Sequence, residues 1–278
     1  MNRFPSNWSN ARFQVTNTYY DASISNTIDT LFTSGQQNLR NRVATSSYQE
    51  VYNSDKMNYD HATHYSYDIH GNVETLIQDN PELALKDAQY KKVEYKYDLI
   101  SGKVNEVAYQ KDQPDAFYHK YSYDSDNRMT NVQTSKDGVL WDNDANYKYY
   151  EHGPLARTEI GDLKVQGMDY AYTLQGWIKG VNSTTLQSNR DMGKDGNIGG
   201  AHPSVARDAF GYGLTYYSSD YTAIGSSAQF LATVNSTPLG NATASLFNGN
   251  ISKMVTAISP VNGGDPIDIQ GRAFGYDQ

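Results

Sequence analysis

Residues 65–73, Tyr65-Ser66-Tyr67-Asp68-Ile69-His70-Gly71-Asn72-Val73, decide the fold, because the chain repeats them. The pattern returns as Tyr95-Lys96-Tyr97-Asp98 with Gly102-Lys103-Val104, one residue longer in the turn, and as Tyr121-Ser122-Tyr123-Asp124 with Asn127-Arg128-Met129. Two looser copies follow, Tyr147-Lys148-Tyr149-Tyr150 with Gly153-Pro154-Leu155, and Tyr170-Ala171-Tyr172-Thr173 with Gly176-Trp177-Ile178. A partial copy stands at Asn248-Gly249-Asn250-Ile251, and the sequence stops inside another, Phe274-Gly275-Tyr276-Asp277. Steps of 30, 26, 26 and 23 residues between successive second tyrosines suit a two-strand unit plus its connection.

Each part of the unit has a backbone reason. Tyr-x-Tyr puts both rings on one face of a strand, because side chains alternate with period two. Asp followed three residues later by Gly fits a type I turn: the carboxylate bonds the next backbone N–H groups and Gly closes the turn at positive φ. Asn127 stands in for Gly in the third copy, and Asn tolerates that conformation best among the other residues. Val73, Val104, Met129, Leu155 or Ile178 then opens a return strand, so each copy is a β-hairpin. One spacing does not fit simple alternation: the next apolar residue comes three positions on, at Leu76, Val107, Val132 and Val181. A bulge, or a strand with both faces partly buried, would account for it.

Composition agrees with this reading. Tyrosine is the outlier, with 24 among 278 residues against 8 Phe and 3 Trp, and there are 22 Gly. So many large aromatics supply the burial that disordered chains lack. No stretch approaches the roughly 20 apolar residues that a membrane-spanning helix needs, and Met1 to Asn10 has no apolar signal core. The net charge of −8 argues against a nucleic-acid partner, and the absence of Cys removes disulfides and thiolate chemistry.

Charge divides the chain. Residues 1–63 hold five acidic and five basic side chains, whereas 64–182 hold nineteen and thirteen. From 209 to 252 the only charge is Asp220. We therefore expect a β-rich segment over 1–63, repeat hairpins over 64–182, a Gly-rich insertion over 183–246 that rejoins the sheet at Phe210–Tyr216, and resumed repeats over 247–278. Residues 39–52 read as strand, and Ile24, Ile28 and Leu31 have helical spacing.

Catalytic patterns are weak. No phosphate-binding glycine loop and no Gly-x-Ser-x-Gly elbow is present. His61, His64 and His70 do not converge at strand and turn spacing, so surface or turn histidines are expected and no metal site. Asp191-Met192-Gly193-Lys194-Asp195-Gly196 has some calcium-loop character but lacks the final Glu, so a flexible loop is expected. Asp137, Asp142 and Asp144 cluster as acids do on any solvated edge, which makes a hydrolase the least supported class. The tyrosines themselves could pack between hairpins or stack on sugar rings, and packing is favoured.

The units resemble the YD repeats of the RHS repeat family, on Tyr65/Tyr67/Asp68/Gly71, Tyr95/Tyr97/Asp98/Gly102 and Tyr121/Tyr123/Asp124/Arg128. The stretches Asp137 to Asp142 and Asp169 to Asn182 also look like those of large RHS proteins. The resemblance implies an all-β fold of hairpins joined into a coiled β-ribbon, part of a hollow RHS-type shell around a C-terminal toxin. It implies a non-enzymatic structural role without cofactor, partnership with a toxin cargo domain and further repeats, and an extracellular or cell-surface setting. The alternative is a β-repeat module binding carbohydrate or a cell-surface partner. The family's downstream core, with its self-cleaving aspartate pair, is not found before Gln278, so a wall fragment without protease or payload is expected.

Overall fold

The computed structural model describes residues 12–187, 189–223, 230, 233–234, 237–238, 245–259 and 268–276. The fold is all-β: among the described residues the helical content is the four-residue α1 (Asn26–Asp29) and a 3-10 turn at Pro81–Lys86. The chain forms two compact units, one up to Ser122 with Thr134–Trp141, the other Tyr123–Gln133 with Asp142 onward.

In the first unit, β1 (Phe13–Tyr20), β2 (Val43–Val51), β3 (His61–Tyr67), β4 (Val73–Asp79), β5 (Tyr90–Tyr97), β6 (Val104–Tyr109) and β7 (Phe117–Tyr123) pair antiparallel in chain order. The residues of β8 (Met129–Ser135) are divided between the units. In the second unit, β9 (Asp142–Tyr149), β10 (Leu155–Ile160), β11 (Gln166–Tyr172), β12 (Ile178–Val181) and β13 (Phe210–Thr215) continue the same antiparallel order. The short β14 (Thr233–Val234) and β15 (Thr237–Pro238) pair only with each other, while β13 goes on to β16 (Lys253–Ile258) and then β17 (Asp268–Ala273).

The three-residue spacing of the return strands is a bulge. Tyr67 faces Val73 while Ser66 faces Thr75, leaving Glu74 as an extra residue. Asn105, Ala156 and Lys179 are skipped in the same way opposite Tyr97, Tyr149 and Tyr172. Because the extra residue shifts the alternation, Val73 and Leu76 both face the tyrosine side, opposite Tyr67 and Tyr65.

The turns carry the strain that their residues suit. Gly71, Gly102, Gly153 and Gly176 have φ of 95°, 70°, 116° and 83°, and Asn127 has 60°. Asp68 Oδ1 accepts from the N–H groups of His70 and Asn72 at 2.9 and 2.8 Å, and Asp124 Oδ1 from those of Asp126 and Arg128 at 2.9 Å each. In Asp98 it is Oδ2 that accepts, from Ile100 and Ser101.

Two further copies emerge whose turns hold whole segments. Tyr20-Asp21 occupies the Tyr-Asp position of a hairpin closed by Arg42-Val43: the Asp21 N–H donates to the Arg42 carbonyl, Asn41 takes the positive φ of 58°, and Ala44 is the bulged residue. Likewise Tyr216-Tyr217 opens a hairpin completed by Gly249-Asn250-Ile251, with Gly249 at φ 88° and the Ser252 N–H on the Thr215 carbonyl. The partial copy at Asn248–Ile251 is thus the second half of a unit begun more than thirty residues earlier.

Candidate functional site: a tyrosine clasp and a buried charge cluster

Six tyrosines at the second-tyrosine position reach across to the preceding hairpin. Tyr67 Oη donates to the carbonyl of Val43 at 2.8 Å, Tyr97 to Val73 at 2.9 Å, Tyr149 to Met129 at 2.7 Å and Tyr172 to Leu155 at 3.0 Å. Tyr216 donates to Ile178 at 2.8 Å and Tyr276 to Ile251 at 3.0 Å. Val43, Val73, Met129, Leu155 and Ile178 each open a return strand, and at Val43, Val73, Leu155 and Ile178 the next residue is the bulged one; Ile251 stands just before β16. Burial raises the pKa of Tyr67, Tyr97, Tyr149, Tyr172 and Tyr216, so each remains a hydroxyl donor.

In the first two copies the first tyrosine braces the second. Tyr65 stacks on Tyr67 with ring centres 6.5 Å apart, Tyr95 on Tyr97 at 6.3 Å, and Tyr121 on His119 at 6.2 Å. Arg42 and Arg128 lie over the rings of Tyr67 and Tyr149. Tyr65, Tyr95, Tyr121, Tyr123, Tyr147 and Tyr170 are half-buried, and Tyr67 is buried. Asp277 lies outside the described residues.

On the face away from the tyrosines, the second unit buries a charge cluster. Arg157, on β10, directs Nη1 to Asp169 at 2.5 Å, Nη2 to Asp195 at 2.6 Å and Nε to Glu159 at 3.0 Å. Asp169 comes from β11, whereas Asp195 comes from the Gly-rich segment after β12, pinned further by Asp191, whose carboxylate accepts from Gly193 N and Asp195 N. Gly167 and Gly193 let the backbone close on these ions: a Cβ at either would come within 2.3 Å of the Arg157 guanidinium. Burial pushes the carboxyls of Asp169 and Asp195 up despite Arg157, and carries Asp208, beside Asp191 and Asp195, to about 8. Burial also opposes ionisation of Glu159, but hydrogen bonds from Arg157 and Lys164 outweigh it and bring that carboxyl down to about 2.

Two expectations are corrected here. The segment at Asp191–Gly196, expected as a flexible loop, is tied down: Asp191 and Asp195 are 8% and 1% exposed, Asp195 on Arg157 and Asp191 on the N–H groups of Gly193 and Asp195. His64 is not at the surface either but wholly buried, with Nδ1 2.9 Å from Thr45 Oγ1 and Nε2 3.6 Å from Asp79. Thr45, His64 and Asp79 stand in the order of a nucleophile, a base and its orienting acid, yet all three are closed off from solvent, and Asp79 accepts from Tyr59 and Gln89 while His64 Nε2 makes no hydrogen bond among the described residues, so no substrate is served. His61 and His70 are exposed, and Asp137 accepts from the N–H groups of Val139 and Leu140 in its own turn. Among the described residues no group of three or more His, Asp or Glu side chains is placed to hold a metal ion. No described helix is long and apolar enough to cross a membrane.

Sequence inspection missed Tyr20-Asp21 because its Asp is not followed by Gly, and Tyr216-Tyr217 because its Asp is absent. It missed Arg157 because a lone basic residue in a strand carries no signal.

Neither a family model nor a curated protein matches the sequence. Among solved structures the chain is similar to the crystal structure of TcdB2-TccC3 without its hypervariable C-terminal region, at 11% identity and a TM-score of 0.41, covering 72% of this chain and 10% of that one. It is also similar to the Photorhabdus luminescens Tc holotoxin pore carrying the TccC3 D651A mutation, at 10% identity and a TM-score of 0.34, covering 81% of this chain and 11% of that one. The chain therefore spans about a tenth of the length of the solved chains it matches.

Proposed function

We propose that the chain is a non-enzymatic wall segment of a β-shell that encloses and carries a toxin domain, with further repeats and that cargo as its partners outside the cell. The observation that carries this reading is the clasp: the tyrosines that define the repeat bind each hairpin to the one before it, so the motif serves continuity of a wall. A repeat protein whose units contact only their neighbours is stabilised by such nearest-neighbour links, and can extend without limit. The tyrosine side is packed by ring pairs and by hydroxyl bonds to backbone carbonyls, which supports packing over a displayed sugar-binding face.

The test is limited proteolysis of the chain expressed together with the coding sequence that follows it. The downstream domain should resist digestion, and the triple variant Tyr97→Ala, Tyr149→Ala, Tyr172→Ala should admit the protease. A downstream domain digested equally fast with and without the wall would overturn the proposal.

A further inference from the structure

The second unit holds a half-open cavity of about 750 Å³ that the wall role does not use, lined by Tyr150, Glu151, His152, Tyr172, Tyr217 and Tyr221 among others. Tyr150 and Tyr172 form two of its walls at right angles, with ring centres 6.4 Å apart and an 82° angle between planes. His152 stacks on Tyr150 at 5.3 Å, and Tyr217 is stacked on Phe247 at 4.7 Å.

The hydroxyl protons of Tyr150 and Tyr172 are already committed. Tyr150 Oη donates to the Tyr170 carbonyl at 2.7 Å, Tyr172 Oη to that of Leu155 at 3.0 Å, and Tyr217 Oη accepts from Gln175 at 2.8 Å. What Tyr150 and Tyr172 can offer a ligand is therefore their π faces, held in place before binding. The charge of the lining is one-sided: among the described residues no Lys or Arg lines it. Asp220 is neutralised by Lys179 at 2.8 Å and capped by the Tyr216 N–H, whereas the exposed Glu151 carboxylate pairs with none of the described residues.

Perpendicular aromatic walls with committed hydroxyls and an unpaired carboxylate favour an organic cation over a sugar. Ring faces attract ammonium and guanidinium groups through their quadrupole, and the exposed Glu151 carboxylate adds a charge that a cation can pair with and a neutral sugar cannot. We propose that this cavity is a binding site for an organic cation, an alkylammonium or guanidinium group, seated between Tyr150 and Tyr172 with Glu151 as its counter-charge. Two sources offer this chemistry, a free amine and a basic side chain of a peptide.

The experiment is an NMR or calorimetric titration of the full chain with tetramethylammonium and, separately, with arginine amide, using methyl glucoside as the comparison. Saturable binding of at least one cation is expected, and which binds more tightly distinguishes the two sources. Tyr150→Leu and Glu151→Gln should each weaken it about tenfold, while Tyr150→Phe, which keeps the ring face, should retain most of it. Both side chains are exposed, and circular dichroism melts verify that each variant is folded. Absence of saturation with both cations, binding unchanged in both weakening variants, or methyl glucoside binding as tightly as the cations would each overturn the proposal.

Discussion

Two segments fold back onto the ribbon in different ways. In the first unit the insertion inside the Tyr20-Asp21 turn lays Ile28 and Phe32 against Ile77 of β4, with Ile24, Leu31 and Tyr90 around them. In the second unit the segment after β12 is held by Asp195 on the buried Arg157. The first is fastened by apolar area, the second by charges that would be costly if separated. Apolar burial is indifferent to pH, whereas a buried ion cluster depends on the ionisation of every member.

The largest effect that distinguishes them is expected from Arg157→Ala. Removing the guanidinium strands Asp169 and Asp195, while Glu159 keeps Lys148 and Lys164, at a cost of about 3–5 kcal/mol in denaturant unfolding of the second unit. Because protonation relieves the stranded carboxylates, the loss should shrink in mildly acidic buffer. A loss unchanged between neutral and acidic pH would mean that the ions do not fasten the segment.

Ile28→Ala is the matching test of the apolar fastening. Ile28 is 0% exposed, and the cavity left by truncation should cost about 2–5 kcal/mol with no dependence on pH. A pH-dependent loss there would erase the contrast.

Asp208 sharpens the comparison. Its folded pKa of about 8 lies above the ordinary 3.8, so between these values the folded state binds the extra proton and stability falls as pH rises. Asp208→Asn keeps the acceptor for Gln166 and removes the titration. It should gain on the native chain by on the order of 1 kcal/mol per pH unit across that window, measured by denaturation at several pH values. Glu159 works in the opposite sense: its pKa is depressed from 4.5 to about 2, so its contribution is present above about 4.5 and is lost as pH falls toward 2. Parallel pH profiles for Asp208→Asn and the native chain would show that Asp208 does not titrate as its surroundings require.

The smallest effect is expected where the units agree. Tyr97→Phe in the first and Tyr172→Phe in the second each remove one hydroxyl bond to a carbonyl and should each cost about 0.5–1.5 kcal/mol. Similar losses would confirm that the clasp is common to both units; a loss in only one would make it local packing rather than a repeated device.

Fold class and turn chemistry were legible in the sequence because both are local. Alternation places Tyr65 beside Tyr67, and an Asp with Gly three residues on dictates the turn at Gly71, whatever the rest of the chain does. The bulge lay half in view, as a spacing of three from Val73 to Leu76 that two arrangements could explain until the pairing of Tyr67 with Val73 and Ser66 with Thr75 decided it. The clasp was not legible, since the acceptor of Tyr97 is a backbone carbonyl 24 residues away and every residue has one. The charge cluster was further out of reach: Arg157 and Asp195 are 38 residues apart in the chain, and neither has a pattern around it. Backbone preferences are set by neighbours in sequence, but a buried ion finds its counter-charge only where the folded chain brings the two together, and that was decided by the tertiary structure alone.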